Sequence, residues 1–75
     1  MSDKLPVVTA AQLVAALSRA GFVRIRQSGS HVFLRNPDGR SVVVPMHARE
    51  VPTGTLRAVL RTAKVTVRQL RDLLT

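Results

Sequence analysis

The sequence predicts an α+β domain. A three-stranded antiparallel sheet with helices on one face is built in the order α-β-β-β-α(-α). Three observations predict it. Apolar residues recur at helical spacing towards the two ends of the chain. The middle is a series of short segments rich in β-formers. Between these segments stand Ser28-Gly29-Ser30 and Asn36-Pro37-Asp38-Gly39, turn sequences too short for anything but hairpins.

The first helix is predicted from Ala10 to Ala20. Thr9 and Gln12 have the spacing of a capping box, and Val8 is placed to pack onto Leu13. Ala10, Leu13, Val14, Leu17 and Ala20 form the apolar stripe, and Gly21 supplies a left-handed stop. Phe22 to Gln27 reads as the first strand and His31 to Arg35 as the second. Pro37, with its fixed φ, and Gly39 make the second turn. Ser41 to Val44 is the third strand, stopped by Pro45. All three strands carry apolar residues on both faces, so the pattern does not say which face the helices cover.

Thr53 is expected to cap the second helix, whose apolar side is Leu56, Val59, Leu60 and Ala63. Arg57 and Arg61 lie four apart on another side of it. Thr66 and Gln69 repeat the capping-box spacing, and Val67, Leu70, Leu73 and Leu74 form one side of a short third helix. Residues 1–8 read as a flexible lead and 9–75 as one domain.

Size and composition narrow the function. A chain of 75 residues buries a modest core, and without cysteine it has no disulfide, thiolate metal site or cysteine nucleophile. The start of the chain lacks the long apolar run of a signal peptide, and no apolar run is long enough to span a membrane. A cytoplasmic protein is expected. Lys and Arg number 12 against 4 Asp and Glu, a net charge of +8. The cations are scattered rather than gathered in a tail, so a folded basic surface is expected, suited to nucleic acid, an anionic membrane or an acidic protein partner.

The element order resembles the double-stranded-RNA-binding domain, which reads RNA by shape, phosphates and 2′-hydroxyls. Trp and Tyr are missing and Phe occurs twice, which argues against a sheet of the RNA-recognition-motif kind with its stacking aromatics.

Particular residues carry a closer resemblance. Gly21-Phe22, Arg26 and the GSH of Gly29–His31 come first. The PDGR of Pro37–Arg40, the PMH of Pro45–His47, Glu50 and the GTLRAVL of Gly54–Leu60 follow in order. Together these resemble the HicA-type toxins, small mRNA interferases of bacterial toxin–antitoxin pairs. The resemblance runs from about Ala11 to Leu74. It implies a double-stranded-RNA-binding-like fold and a metal-independent ribonuclease whose active histidine is His31. It also implies a HicB-type antitoxin that covers this site, and no cofactor. Family members often carry Gly where this chain has Lys64, so the end of the second helix is expected to be capped differently.

The chemistry is consistent with that implication. RNA is cut without a metal when its 2′-hydroxyl attacks the adjacent phosphorus. A base takes the hydroxyl proton, an acid protonates the departing 5′-oxygen, and positive groups stabilise the charge on phosphate. Histidine suits both proton transfers. The chain has two histidines, His31 and His47, and four carboxylates, Asp3, Asp38, Glu50 and Asp72. That is too sparse a set for a Mg²⁺ cage or a His-rich zinc site.

From its residues alone His31 is either a general acid–base or a structural ring that caps the turn; the resemblance favours catalysis. Gly29 permits close approach to phosphate or simply makes the turn. Ser30 bonds phosphate or closes the turn, and forms no triad with His31, since neighbours on a strand face opposite ways. His47 is read as a structural or RNA-contacting residue. Arg24, Arg26, Arg35, Arg40, Arg57 and Arg61 are the candidate phosphate contacts. The Thr53–Thr55 helix start is read as a cap rather than an anion site. The expected partners are mRNA and the antitoxin, with no membrane and no small-molecule cofactor. The alternative is a non-catalytic RNA-binding module of the same fold. A weaker third reading is a domain that docks an acidic protein.

Overall fold

The structure, a computed structural model, describes residues 4–46 and 49–75. The order is α1 (Ala10–Arg19), β1 (Val23–Ser28), β2 (His31–Arg35), β3 (Ser41–Pro45), α2 (Thr53–Ala63) and α3 (Val67–Leu74). The strands form one antiparallel sheet in the order β1-β2-β3. The α+β, double-stranded-RNA-binding-like layout is therefore the one expected.

Local chemistry explains the helix ends. The Thr9 hydroxyl accepts from the Gln12 amide at 3.1 Å, and the Gln12 side chain accepts from the Thr9 amide at 2.8 Å. Thr66 and Gln69 repeat this reciprocal pair at the same two distances. Gly21, at φ 97°, closes α1: Phe22 donates to the Leu17 carbonyl and Gly21 to Ser18, the paired bonds of a Schellman motif.

Two details depart from expectation. Thr53 does not cap α2. Pro52 holds the cap position, with no side-chain cap bond, and Thr53 is already inside the helix. Proline's fixed φ suits a helix start, but its ring offers no acceptor. At the other end Lys64 takes the left-handed conformation itself (φ 56°, ψ 41°), with Val65 donating to Leu60 and Lys64 to Arg61. The stop is the same motif as at Gly21, built on a lysine. A side chain there costs about 1–2 kcal/mol of backbone strain, partly offset by the lower entropy of the unfolded chain. Lys64→Gly is expected to raise stability by about 0.5–1 kcal/mol, read as a higher urea midpoint with an unchanged slope; a lower midpoint would refute the strain argument.

The core lies between one sheet face and the helices. Val32, Leu34, Val42 and Val44 point into it and are buried; Leu13, Leu17, Leu56 and Leu70 meet them from the helices. α1 and α2 both pack on β3, and α3 packs on α1. β1 is left outside this cover, and all six of its residues are exposed. Ahead of α1, the chain also contributes to the core. Val8 is buried, Leu5 packs on the core, and the Val8 carbonyl accepts from the Val51 amide at 2.8 Å. The physical reason is apolar surface: Leu5 and Val8 complete the core beneath α1.

Candidate functional site

The sheet has a second face, turned away from the buried core and flanked by α2, and the candidate site is on it. On β2, Val32 and Leu34 are buried, so by alternation His31, Phe33 and Arg35 stand on the other face. On β3, Ser41, Val43 and Pro45 accompany them. His31 pairs with Ser28 on one side and Pro45 on the other.

β1 reaches this face through an irregularity. Arg24 pairs with Leu34, but Arg26 pairs with Phe33, so Ile25 is an extra residue, a β-bulge. In regular pairing Arg24 and Arg26 would share a face. The bulge turns them apart: Arg24 goes with Leu34 and Arg26 with Phe33. The Arg26 guanidinium lies over the Phe33 ring, 4.2 Å from its centroid.

The turn before His31 is a two-residue loop. Gly29 has φ 57° and Ser30 does not have positive φ, the pattern of a hairpin turn that needs Gly at its first central position. A Cβ on Gly29 would meet nothing within 4 Å, so backbone conformation rather than crowding demands glycine. Two bonds brace this turn from outside. The Gln27 side-chain amide donates to the Gly29 carbonyl at 3.2 Å while its oxygen accepts from Arg24 at 2.7 Å. The Met46 amide donates to the Ser30 carbonyl. The end of β3 and the start of β2 are thereby held together at His31.

The six candidate arginines do not form one surface. Arg26 and Arg35 share the face of His31. Arg24 is on the helix side, holding Gln27. Arg57 and Arg61 are exposed on α2. Arg40 is engaged inside the molecule: it pairs with Asp38 at 2.8 Å, donates to the Ala63 carbonyl at the end of α2, and lies 5.1 Å from the Phe22 ring centroid. It joins the β2–β3 turn to α2. Asn36 joins the same turn to α1, donating to the Ala20 carbonyl at 3.3 Å and accepting from the Asp38 amide at 3.1 Å. His47 lies outside the described residues, as does Asp3.

The Arg40 side chain and amide, hydrogen-bonding to Asp38, hold its carboxyl below the ordinary value. A carboxylate depressed in the folded state adds stability above its unfolded pKa and loses it as pH falls through the folded value. The effect belongs to acid conditions, below about pH 4. Asp38→Asn is expected to lower stability slightly at neutral pH and to flatten the acid limb, so that variant and wild type converge in strong acid; an acid limb identical to wild type would count against the pairing.

Sequence reasoning did not single out Phe33, Gln27 or Met46. Phe33 was legible, standing two residues from His31 on one strand. Its contact with Arg26 was not, because the bulge decides it. An open groove of about 750 Å³ adjoins the pair, lined by Ile25, Phe33 and Val43 of the sheet and by Thr55 and Ala58 of α2. Among the described residues no helix is long and apolar enough to cross a membrane, and no three His, Cys, Asp or Glu side chains gather into a metal-binding group.

A search of curated protein sequences returned no match. Residues 10–65 match the family model described as the HicA toxin of bacterial toxin–antitoxin systems. The match runs from the first residue of α1 past the left-handed stop of α2, and takes in the turn of His31, the arginine-bearing second turn and the whole sheet. By its sequence, the chain belongs to the HicA toxin family.

Proposed function

We propose that this toxin is an endoribonuclease that cleaves mRNA in the cytoplasm without a metal ion, using His31 as general acid–base. A HicB-type antitoxin neutralises it by covering the His31 face. One observation carries the reading. His31 stands on the uncovered sheet face, at a braced glycine turn, with Arg26 and Arg35 on the same face.

The His31 imidazole makes one of the two proton transfers, taking the 2′-hydroxyl proton or protonating the departing 5′-oxygen, and solvent water makes the other. The 2′-oxygen bonds to phosphorus as the 5′-oxygen bond breaks. The products are a 2′,3′-cyclic phosphate and a 5′-hydroxyl. Arg26 and Arg35 supply positive charge where the phosphate gains it. Gly29 and Ser30 bring backbone and hydroxyl close to that phosphate. Arg57 and Arg61 extend the positive surface over α2, and His47 contacts RNA beyond Met46. Arg24 and Arg40 serve RNA binding indirectly, by holding their turns.

The test is cleavage of RNA by the full chain in EDTA, with end-group analysis. Cyclic phosphate ends are expected. In cells, expression should arrest growth and co-expression of the antitoxin should release it. RNA bound but left intact would make the chain a binding module.

A further inference from the structure

The Arg26–Phe33 pair is not explained by packing. Phe33 is only half-buried, turned away from the core beside a groove that α2 flanks. Arg26 is exposed, and its guanidinium lies over the ring; among the described residues no carboxylate pairs with it. Ordinary β pairing would put Arg26 on the opposite face; a bulge at Ile25 is what brings the two together.

The pair's place is specific. Phe33 and His31 are two residues apart on β2 and face the same way, about 6.6 Å along the strand. Ring and guanidinium are both flat. A guanidinium held over a ring presents its outer face as a second flat layer, and flat cationic or aromatic layers are what unpaired nucleobases stack on. The groove beside the pair, which Gly54, Thr55 and Ala58 of α2 flank, has room for a base. A duplex keeps its bases stacked on one another and offers no free base face.

We infer that Arg26, oriented by Phe33, is a base-stacking platform beside His31, and that the chain takes its RNA as unpaired nucleotides laid on the open sheet face. The inference rests on the ribonuclease reading for the placing of the scissile phosphate at His31. Arg26 touches the base; Phe33 is a positioning residue that holds the guanidinium plane.

The test uses a short single-stranded RNA and a set of its copies, each with one base removed. Binding is measured with the full-length His31→Ala chain and cleavage with the wild type. One abasic position is expected to weaken binding by roughly 5- to 150-fold. Arg26→Lys keeps the charge and loses the plane. In that background the same abasic position should cost little, while the salt dependence of binding stays as it was. Phe33→Leu, with folding confirmed by circular dichroism, should behave like Arg26→Lys. Cleavage of RNA with no sensitive position, or with equal sensitivity in the Arg26→Lys chain, overturns the platform and leaves the nuclease standing. A sensitive position that depends on Arg26, without cleavage, supports the platform and removes the nuclease. Tighter binding to duplex than to single strand, or no binding even at low salt, overturns the platform.

Discussion

His31→Ala is expected to slow RNA cleavage by about 10²–10⁴-fold while leaving RNA affinity within a few-fold. The separation follows from where the charge lies. Affinity for RNA comes chiefly from fixed cations, and each phosphate contact adds nearly one unit to the salt slope. Those cations are the arginines, and the substitution removes none of them. In the proposed mechanism proton transfer, by contrast, falls to the His31 imidazole. His31 is exposed at the first position of β2, on a turn that Gln27 and the Ser30 carbonyl brace. A thermal melt within a few degrees of wild type separates a loss of chemistry from a loss of fold. Equal cleavage by the variant would move the chemistry away from His31, with His47→Ala the next variant to measure. A drop in binding as large as the drop in rate would make His31 an RNA contact instead.

Leu34→Ala is expected to cost about 2–5 kcal/mol, and to leave the chain largely unfolded at room temperature. Leu34 has no exposed surface and sits on the central strand, between the pairings with β1 and β3. Its loss opens a cavity that neighbouring strands cannot close without breaking their ladder. A core this small supplies only about 3–5 kcal/mol in all, so one such cavity is comparable with the whole stability. Ile25→Ala is the control. Ile25 is 56% exposed, and its truncation should stay within about 0.5 kcal/mol. Urea midpoints of the two variants settle the matter. A Leu34→Ala chain as stable as Ile25→Ala would mean that the buried face is misassigned.

Parts of the fold are legible in the sequence. Thr9 with Gln12, and Thr66 with Gln69, announced two helix starts because a capping box is closed within four residues. Gly21, Gly29 and Gly39 announced three reversals, and each has positive φ. Pro52 in place of Thr53 at the start of α2 was missed because a cap is set by which carbonyl begins the ladder, and here Leu56 donates to Pro52. Lys64 was expected to force a different stop. The surrounding fold instead imposed the left-handed conformation on it, since Val65 is buried and must turn inward there.

The amino-acid sequence by itself determined the element order, the hairpins, the basic character and the glycine-turn histidine. Each depends on residues adjacent in the chain or on the sum of its charges. Only the tertiary structure decided which sheet face is open, which arginines share it with His31, and that Arg40 is tied into the fold through Asp38 and Ala63. The physical reason is the twofold alternation of a strand. With apolar residues on both faces, burial against the helices selects the inner one. A single extra residue at Ile25 then reverses every side chain beyond it, and carries Arg26 to the face of His31.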